Sequence, residues 1–228
     1  LLHRGGLKTL TVALEAGTDR LRRSLGKGIG REDLLRAARL AAGAGIEGLR
    51  IYGMVGLPGE TQDDVRALAE LAVEAREALG KGTVALSVAP FVPKPHTPLQ
   101  WEAMAPEADL KARIRLLESL LGRRRGLKAV AEPPRGARVQ GLLSRGGRGV
   151  APLLEAAAQD GDWRRVLRSP EASAVLDSAR DVDVPLPWDF VTGGPSREHL
   201  LAEREAGRAG EDVTECGDGE CGACGICG

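Results

Sequence analysis

The sequence predicts an α/β protein built on a parallel sheet. Three features predict it: apolar or alternating segments of strand length near residues 7–15, 49–55 and 83–90, helical spacing of apolar residues between them, and glycine-rich breaks at each junction. A strand, helix, strand, helix, strand order requires crossover helices and hence parallel pairing. Three such strands make only part of a closed barrel, so a further N-terminal portion, on the same or a separate polypeptide, is expected.

Each element has a local reason. LKTLTVALE, residues 7–15, alternates well enough for a strand, and Ala16-Gly17-Thr18-Asp19 ends it. Thr18 or Asp19 can cap a helix from Arg20 to Leu25, closed by Gly26, Gly28 and Gly30. Arg31 to Ala42 places Leu34, Leu35, Ala38 and Ala41 on one face. In IYGMVGLPGET, residues 51–61, apolar Ile51, Met54, Val55 and Leu57 form a buried strand that Gly56, Pro58 and Gly59 break into a tight turn. Thr61 and Asp64 then give the capping pattern T-x-x-D before a helix running to about Leu79. After the strand from Thr83 to Pro90, prolines at 90, 93, 95 and 98 leave a rigid loop at a strand end, where binding sites of such folds lie. A helix from Glu107 to Leu121 follows, and further helices are expected at Val150–Gln159, Trp163–Leu167 and Ser196–Gly207.

Lysine plus arginine (32) balances aspartate plus glutamate (32), which excludes a global field for nucleic acid or anionic membrane. No apolar run approaches membrane-spanning length, so no membrane partner is expected and a cytoplasmic location is. Charge is nevertheless uneven. Arg123, Arg124, Arg125, Lys128, Arg135, Arg138, Arg145 and Arg148 face the single acid Glu132 between residues 122 and 148. That segment reads either as a solvated surface or as a set of phosphate contacts, the latter weakened because no aromatic residue is interleaved to stack on bases. Trp163 and Trp188 read as packing anchors.

All four cysteines lie near the C-terminus, as Cys216, Cys221, Cys224 and Cys227, interleaved with glycine and alanine. Four thiolates this close can hold an iron–sulfur cluster or a tetrahedral zinc ion, and spacing alone does not choose between them.

Taken in order, TVALEAGTDRLRRSLGKGI, GMVGLPGET, SVAPFVPKPHTPLQW, LPWDFV and the cysteine-rich end resemble radical S-adenosylmethionine (radical SAM) enzymes, within an uncharacterised family often carrying an N-terminal cobalamin-binding domain. The resemblance implies the C-terminal strands of a partial (β/α)6 TIM-like barrel over residues 1–104, a helical, basic region over 105–210 and a cysteine-rich metal-binding tail over 211–228. It implies S-adenosylmethionine lying across the strand ends, a four-iron four-sulfur cluster that reduces the sulfonium to release a 5′-deoxyadenosyl radical, and cobalamin as a further cofactor of a full-length protein. Carried over by position, Glu15, Gly17 and Thr18 fall beside the ribose and methionine part of the cofactor, and Arg20 and Arg22 where a cation could hold its carboxylate. Met54 and Gly56 fall on the adenine side, with the turn at Pro58 and Gly59, and Phe91 to Thr97 close the adenine end.

Structural readings stand beside these: Glu15 as a partner of Arg20 or Lys27, Met54 as core, Arg22 as a solvated helix charge. One departure is clear. The radical-forming cluster of such enzymes hangs on a CxxxCxxC motif after the first barrel strand, and these 228 residues do not contain it. This chain alone is therefore expected not to cleave S-adenosylmethionine. The expected activity is radical-mediated methyl, methylthio or other group transfer by the complete enzyme, on a substrate the sequence does not identify, with RNA or protein as candidates. The rival is a non-catalytic metal-binding, RNA-interacting module.

Overall fold

A computed structural model describes residues 1–211 and 224–225. Four strands, β1 (Thr9–Glu15), β2 (Gly48–Val55), β3 (Thr83–Pro90) and β4 (Leu127–Ala131), form one sheet in the order β1-β2-β3-β4. All pairs are parallel. Between them run α1 (Asp19–Ser24), α2 (Arg31–Gly43), α3 (Gln62–Leu79) and α4 (Glu107–Leu121). Leu14, Leu49, Ile51, Val55, Val84, Leu86 and Val88 form one core with Leu34 and Ala38 of α2, Leu68 and Ala72 of α3, and Leu110 and Leu117 of α4. This burial across period-two strands and 3.6-period helices fixes the sheet register, because a one-residue slip would turn each strand's apolar row away from the helices.

The opposite face is open. The register places Ala13, Tyr52, Ser87 and Val130 in one row, and Tyr52 and Val130 are each 45% exposed. Parallel sheets are ordinarily covered on both faces. An α/β unit with one helix-covered face and one open face fits part of a barrel, whose strands turn that second face inward.

The segment read from sequence as a basic surface instead supplies β4 and α5 (Pro134–Arg145). Leu127 to Ala131 pairs with Val84 to Val88, so the sheet extends past residue 104 to Ala131. Beyond it, a short 3-10 turn (Arg148–Val150), α6 (Ala151–Asp160), α7 (Trp163–Val166), α8 (Pro170–Leu176) and α9 (Arg197–Ala209) form a second layer. Its cores gather Val92, Met104, Leu142, Val166 and Leu176 in one cluster, and Trp101, Leu186, Trp188 and Leu200 in another. The Trp188 indole donates to Gln100 Oε1 at 2.7 Å, which fixes it as an anchor of this layer.

Two of the eight basic residues are not surface charges. Arg138 is buried and pairs with Asp177 at 2.8 Å. Arg145 is 0% exposed and donates to the carbonyls of Val175 (2.9 Å), Ser178 (2.9 Å) and Glu102. Burial, with the charge of Arg180 nearby, pushes its guanidinium down to about 10, and Glu102 opposes that shift. The planar fork matches three carbonyls that no other side chain among the described residues reaches, so α5, α8 and the loop before α4 are tied through one cation. Arg145→Met should leave those carbonyls without donors and lower stability by about 3 kcal/mol or more. The exposed Arg124→Met should stay within about 0.5 kcal/mol of wild type, both read by urea unfolding.

Candidate functional site

The C-terminal ends of β1 and β2 are joined by one carboxylate. Asp64, in the first turn of α3, accepts from Thr18 Oγ1 at 2.6 Å, Arg20 Nη2 at 2.7 Å, and the backbone nitrogen and hydroxyl of Thr61 at 2.8 Å each. The Thr61 hydroxyl accepts in turn from Asp64 N, completing the capping box that T-x-x-D forecast. Burial raises the Asp64 carboxyl, but these hydrogen bonds and the Arg20 charge outweigh it and hold it below the usual carboxylate range. Arg20 also donates to the Gly59 carbonyl at 3.1 Å.

Gly17 owes its identity to this junction. A Cβ there would stand 2.3 Å from Asp64 O and Leu68 N, so only glycine lets the loop after β1 lie on α3. Gly56, at φ 84°, needs glycine for its backbone, and a Cβ would also meet Leu110 Cδ2 at 2.5 Å. Glu15 also takes a left-handed conformation, φ 70°, and pairs with Lys27 at 3.2 Å. Arg22 is buried, donating to the carbonyls of Ala16 and Gly17 at 2.9 Å each and to Asp19. It is a structural clamp on the β1–α1 loop rather than the solvated charge that its helix position suggested.

Above β2 and β3 opens a mostly apolar cavity of about 500 Å3. Met54, Phe91 and Thr97 line it together, with Leu25, Val92 and Leu99 around them and Lys94, Glu132 and Glu203 at its polar places. Its size lies in the usual range for small-molecule sites. Arg20, Pro58 and Gly59 instead line an adjacent pocket that shares Ser24, Leu25 and Leu99 with the first. The sequence-derived site residues thus divide three ways: the cavity wall, the neighbouring pocket, and the knot beneath that sets the loops. Among the residues not singled out from sequence, Lys94 sits in the proline-rich loop already suspected of binding. Glu203 lies on α9, more than a hundred residues beyond the strand ends, and no motif marks it.

Of the tail cysteines, Cys216, Cys221 and Cys227 lie outside the described residues. Cys224 is buried, and its carbonyl accepts from Ser196 N at 2.9 Å, at the start of α9. Among the described residues no helix is long and apolar enough to cross a membrane, and no cluster of three or more metal-ligating side chains forms.

Glu60, the acid of the PGET phrase, is the most perturbed carboxyl here. Its Oε2 accepts from Gly56 N at 2.7 Å and pairs with Arg113 Nε at 3.1 Å. Burial pushes it up to about 7, with Asp64 adding in the same direction while the Gly56 hydrogen bond and Arg113 oppose. A carboxyl raised on folding contributes stability below its unfolded value, near 4.5, and that contribution is lost as pH rises through about 7. Glu60→Gln should therefore be less sensitive to pH between those limits than wild type, by chemical unfolding at pH 4.5, 6 and 7.5. Equal slopes for the two proteins would show that Glu60 is not the titrating group.

Residues 1–72 match the family model of the radical SAM superfamily. An uncharacterised protein of Methanocaldococcus jannaschii is 36% identical over 150 residues, covering 65% of this chain and 32% of the relative. The chain thus spans about a third of the length of the curated relative it matches. No solved structure matches. The match covers β1, β2 and the start of α3, the elements that meet at Asp64, and over those residues the chain is similar to the radical SAM superfamily.

Proposed function

We propose that this chain supplies the later strand ends of a radical SAM barrel and that the cavity above β2 and β3 receives the adenosyl end of S-adenosylmethionine. The observation that carries this is the convergence of Met54, Phe91 and Thr97 on one apolar cavity, at the strand ends where ligands of α/β folds bind. The cavity fits that group: Met54 and Phe91 offer apolar faces to a planar ring. With a reduced cluster, S-adenosylmethionine supplies a carbon-centred radical. The part of this chain's residues is to bind and orient, with Met54 and Phe91 excluding water and Thr97, whose hydroxyl donates to the Lys94 carbonyl at 2.8 Å, offering its oxygen as an acceptor.

The complete enzyme would then carry out radical-mediated group transfer, of which methyl and methylthio transfer are the forms considered. Its radical-forming cluster would rest on cysteines outside this chain, because none of the four present lies before Cys216. The open sheet face, with Tyr52 and Val130 exposed, supports further strands closing over it. The rival reading of an RNA-binding module loses Arg138 and Arg145, which are spent internally.

Isothermal titration with 5′-methylthioadenosine, which keeps the nucleoside and lacks the charged sulfonium, tests the cavity. Binding should be saturable in wild type and weakened at least tenfold by Met54→Glu, which sets a carboxylate in the apolar wall. Absence of binding, or binding unchanged in Met54→Glu, would reject the reading. For Cys216, Cys221, Cys224 and Cys227 we propose an auxiliary iron–sulfur cluster. Protein purified without oxygen should be brown with thiolate-to-iron charge-transfer absorption, whereas colourless protein with stoichiometric zinc would replace the cluster with a zinc site.

A further inference from the structure

The same cavity holds two charged groups that the protein does not pair. Glu203 is only 6% exposed and lines the cavity, yet its carboxyl has no hydrogen-bond donor among the described residues. Cations are close in sequence but engaged elsewhere. Arg204 Nε and Arg208 Nη2 both bind Glu102 Oε1, at 2.8 and 2.9 Å. Lys94 is half-buried on the opposite loop, where burial pulls its ammonium below the usual lysine range. It too forms no ion pair among the described residues, with Glu203 or with any other acid.

A carboxyl on a residue only 6% exposed and a partly desolvated ammonium both give up water, and pairing them directly would have offset that cost. They form no ion pair with each other, and the cavity wall they share is mostly apolar. An apolar ligand would satisfy neither group, and an anion only Lys94. A phosphate would also face Glu203 and, at the exposed rim, Glu132. A molecule carrying both an ammonium and a carboxylate on an apolar body satisfies both groups and the wall.

We propose that the α9 side of this cavity takes a small zwitterionic substrate, an amino acid or close analogue with an apolar side chain, its ammonium on Glu203 and its carboxylate on Lys94. This rests on the reading that the Met54 side holds the adenosyl group. It makes α9, which lies outside the 1–72 family match, part of the substrate site.

The test uses the 228-residue chain saturated with 5′-methylthioadenosine, titrated with L-leucine, L-methionine and L-phenylalanine and with the N-acetyl and amide derivatives of each. At least one free amino acid should bind, and its N-acetyl and amide forms should each bind at least tenfold more weakly. Glu203→Gln should abolish discrimination against the N-acetyl form, and Lys94→Met discrimination against the amide. Should Glu203→Gln fail to fold by circular dichroism, Lys94→Met, on a half-buried side chain, still reads the carboxylate end.

Binding of 5′-methylthioadenosine with no amino acid bound beside it overturns this proposal and leaves the adenosyl reading standing. Equal affinity for free and blocked amino acids, or discrimination unchanged in both variants, also overturns it. If 5′-methylthioadenosine itself does not bind, the adenosyl reading fails and the substrate proposal falls with it.

Discussion

The carboxylate of Asp64 is the constraint on which the strand-end architecture depends. It accepts from the loop after β1 through Thr18 and Arg20, and from its own helix start through Thr61. Two consecutive βα junctions are therefore set by one group whose acceptor positions are used from several directions. Hydrogen bonds to an ionised acceptor are stronger than neutral ones, and here they are supported by the close approach of Gly17 to α3. Loops carrying a binding surface must be held by something more rigid than themselves. Placing the anchor at the first turn of an eighteen-residue helix meets that need, because α3 is buried along Val65, Leu68, Ala69 and Ala72 in the core shared with the sheet.

This division of labour explains why conspicuous residues are not all at the cavity. The glycines, threonine and arginines of the β1 loop are set apart by local signals: turn chemistry, caps and positive charge. Those signals report backbone geometry as readily as ligand contact. Arg22 shows it most plainly, since a helix surface position and a basic side chain predict solvent, whereas the side chain folds back onto two carbonyls of its own loop. Met54 and Phe91, by contrast, read from sequence as core or as cofactor wall. Both descriptions hold, because each packs against the cluster of Ala16, Leu21 and Leu57 while also lining the cavity.

The first three strands, their helices and the cap at Thr61 were legible because each obeys a local period or capping rule. β4 was not. Leu127 to Ala131 is short, carries Lys128, and follows three arginines, so its strand character comes from the free edge of β3 rather than from its own pattern. Charge density misled for the same region. Composition counts Arg138 and Arg145 with their exposed neighbours, and only packing reveals that Asp177 and three backbone carbonyls consume them. Glu203 and Lys94 were illegible for a related reason: what distinguishes them is the absence of a partner across some hundred residues of sequence, and no window on the chain can show that.

The second layer bears on the site through α9 as well as through Val92 of the cavity wall, which packs in its core. Gly207 on α9 lies so close to α1 that a Cβ would stand 2.9 Å from Ser24 O, which lets the helix settle against the loop bordering the cavity. Arg204 and Arg208 then lock α9 to Glu102, on the chain leaving the proline-rich loop. Because those two arginines neutralise Glu102 and not Glu203, the helix is held by one carboxylate while presenting another to the cavity. Glu102 is itself buried, so moving the arginines to Glu203 would leave one acid unpaired in either arrangement, and the acid left unpaired is the one that lines the cavity. That the unpaired group is the one facing the cavity separates a helix that covers a site from one that takes part in it.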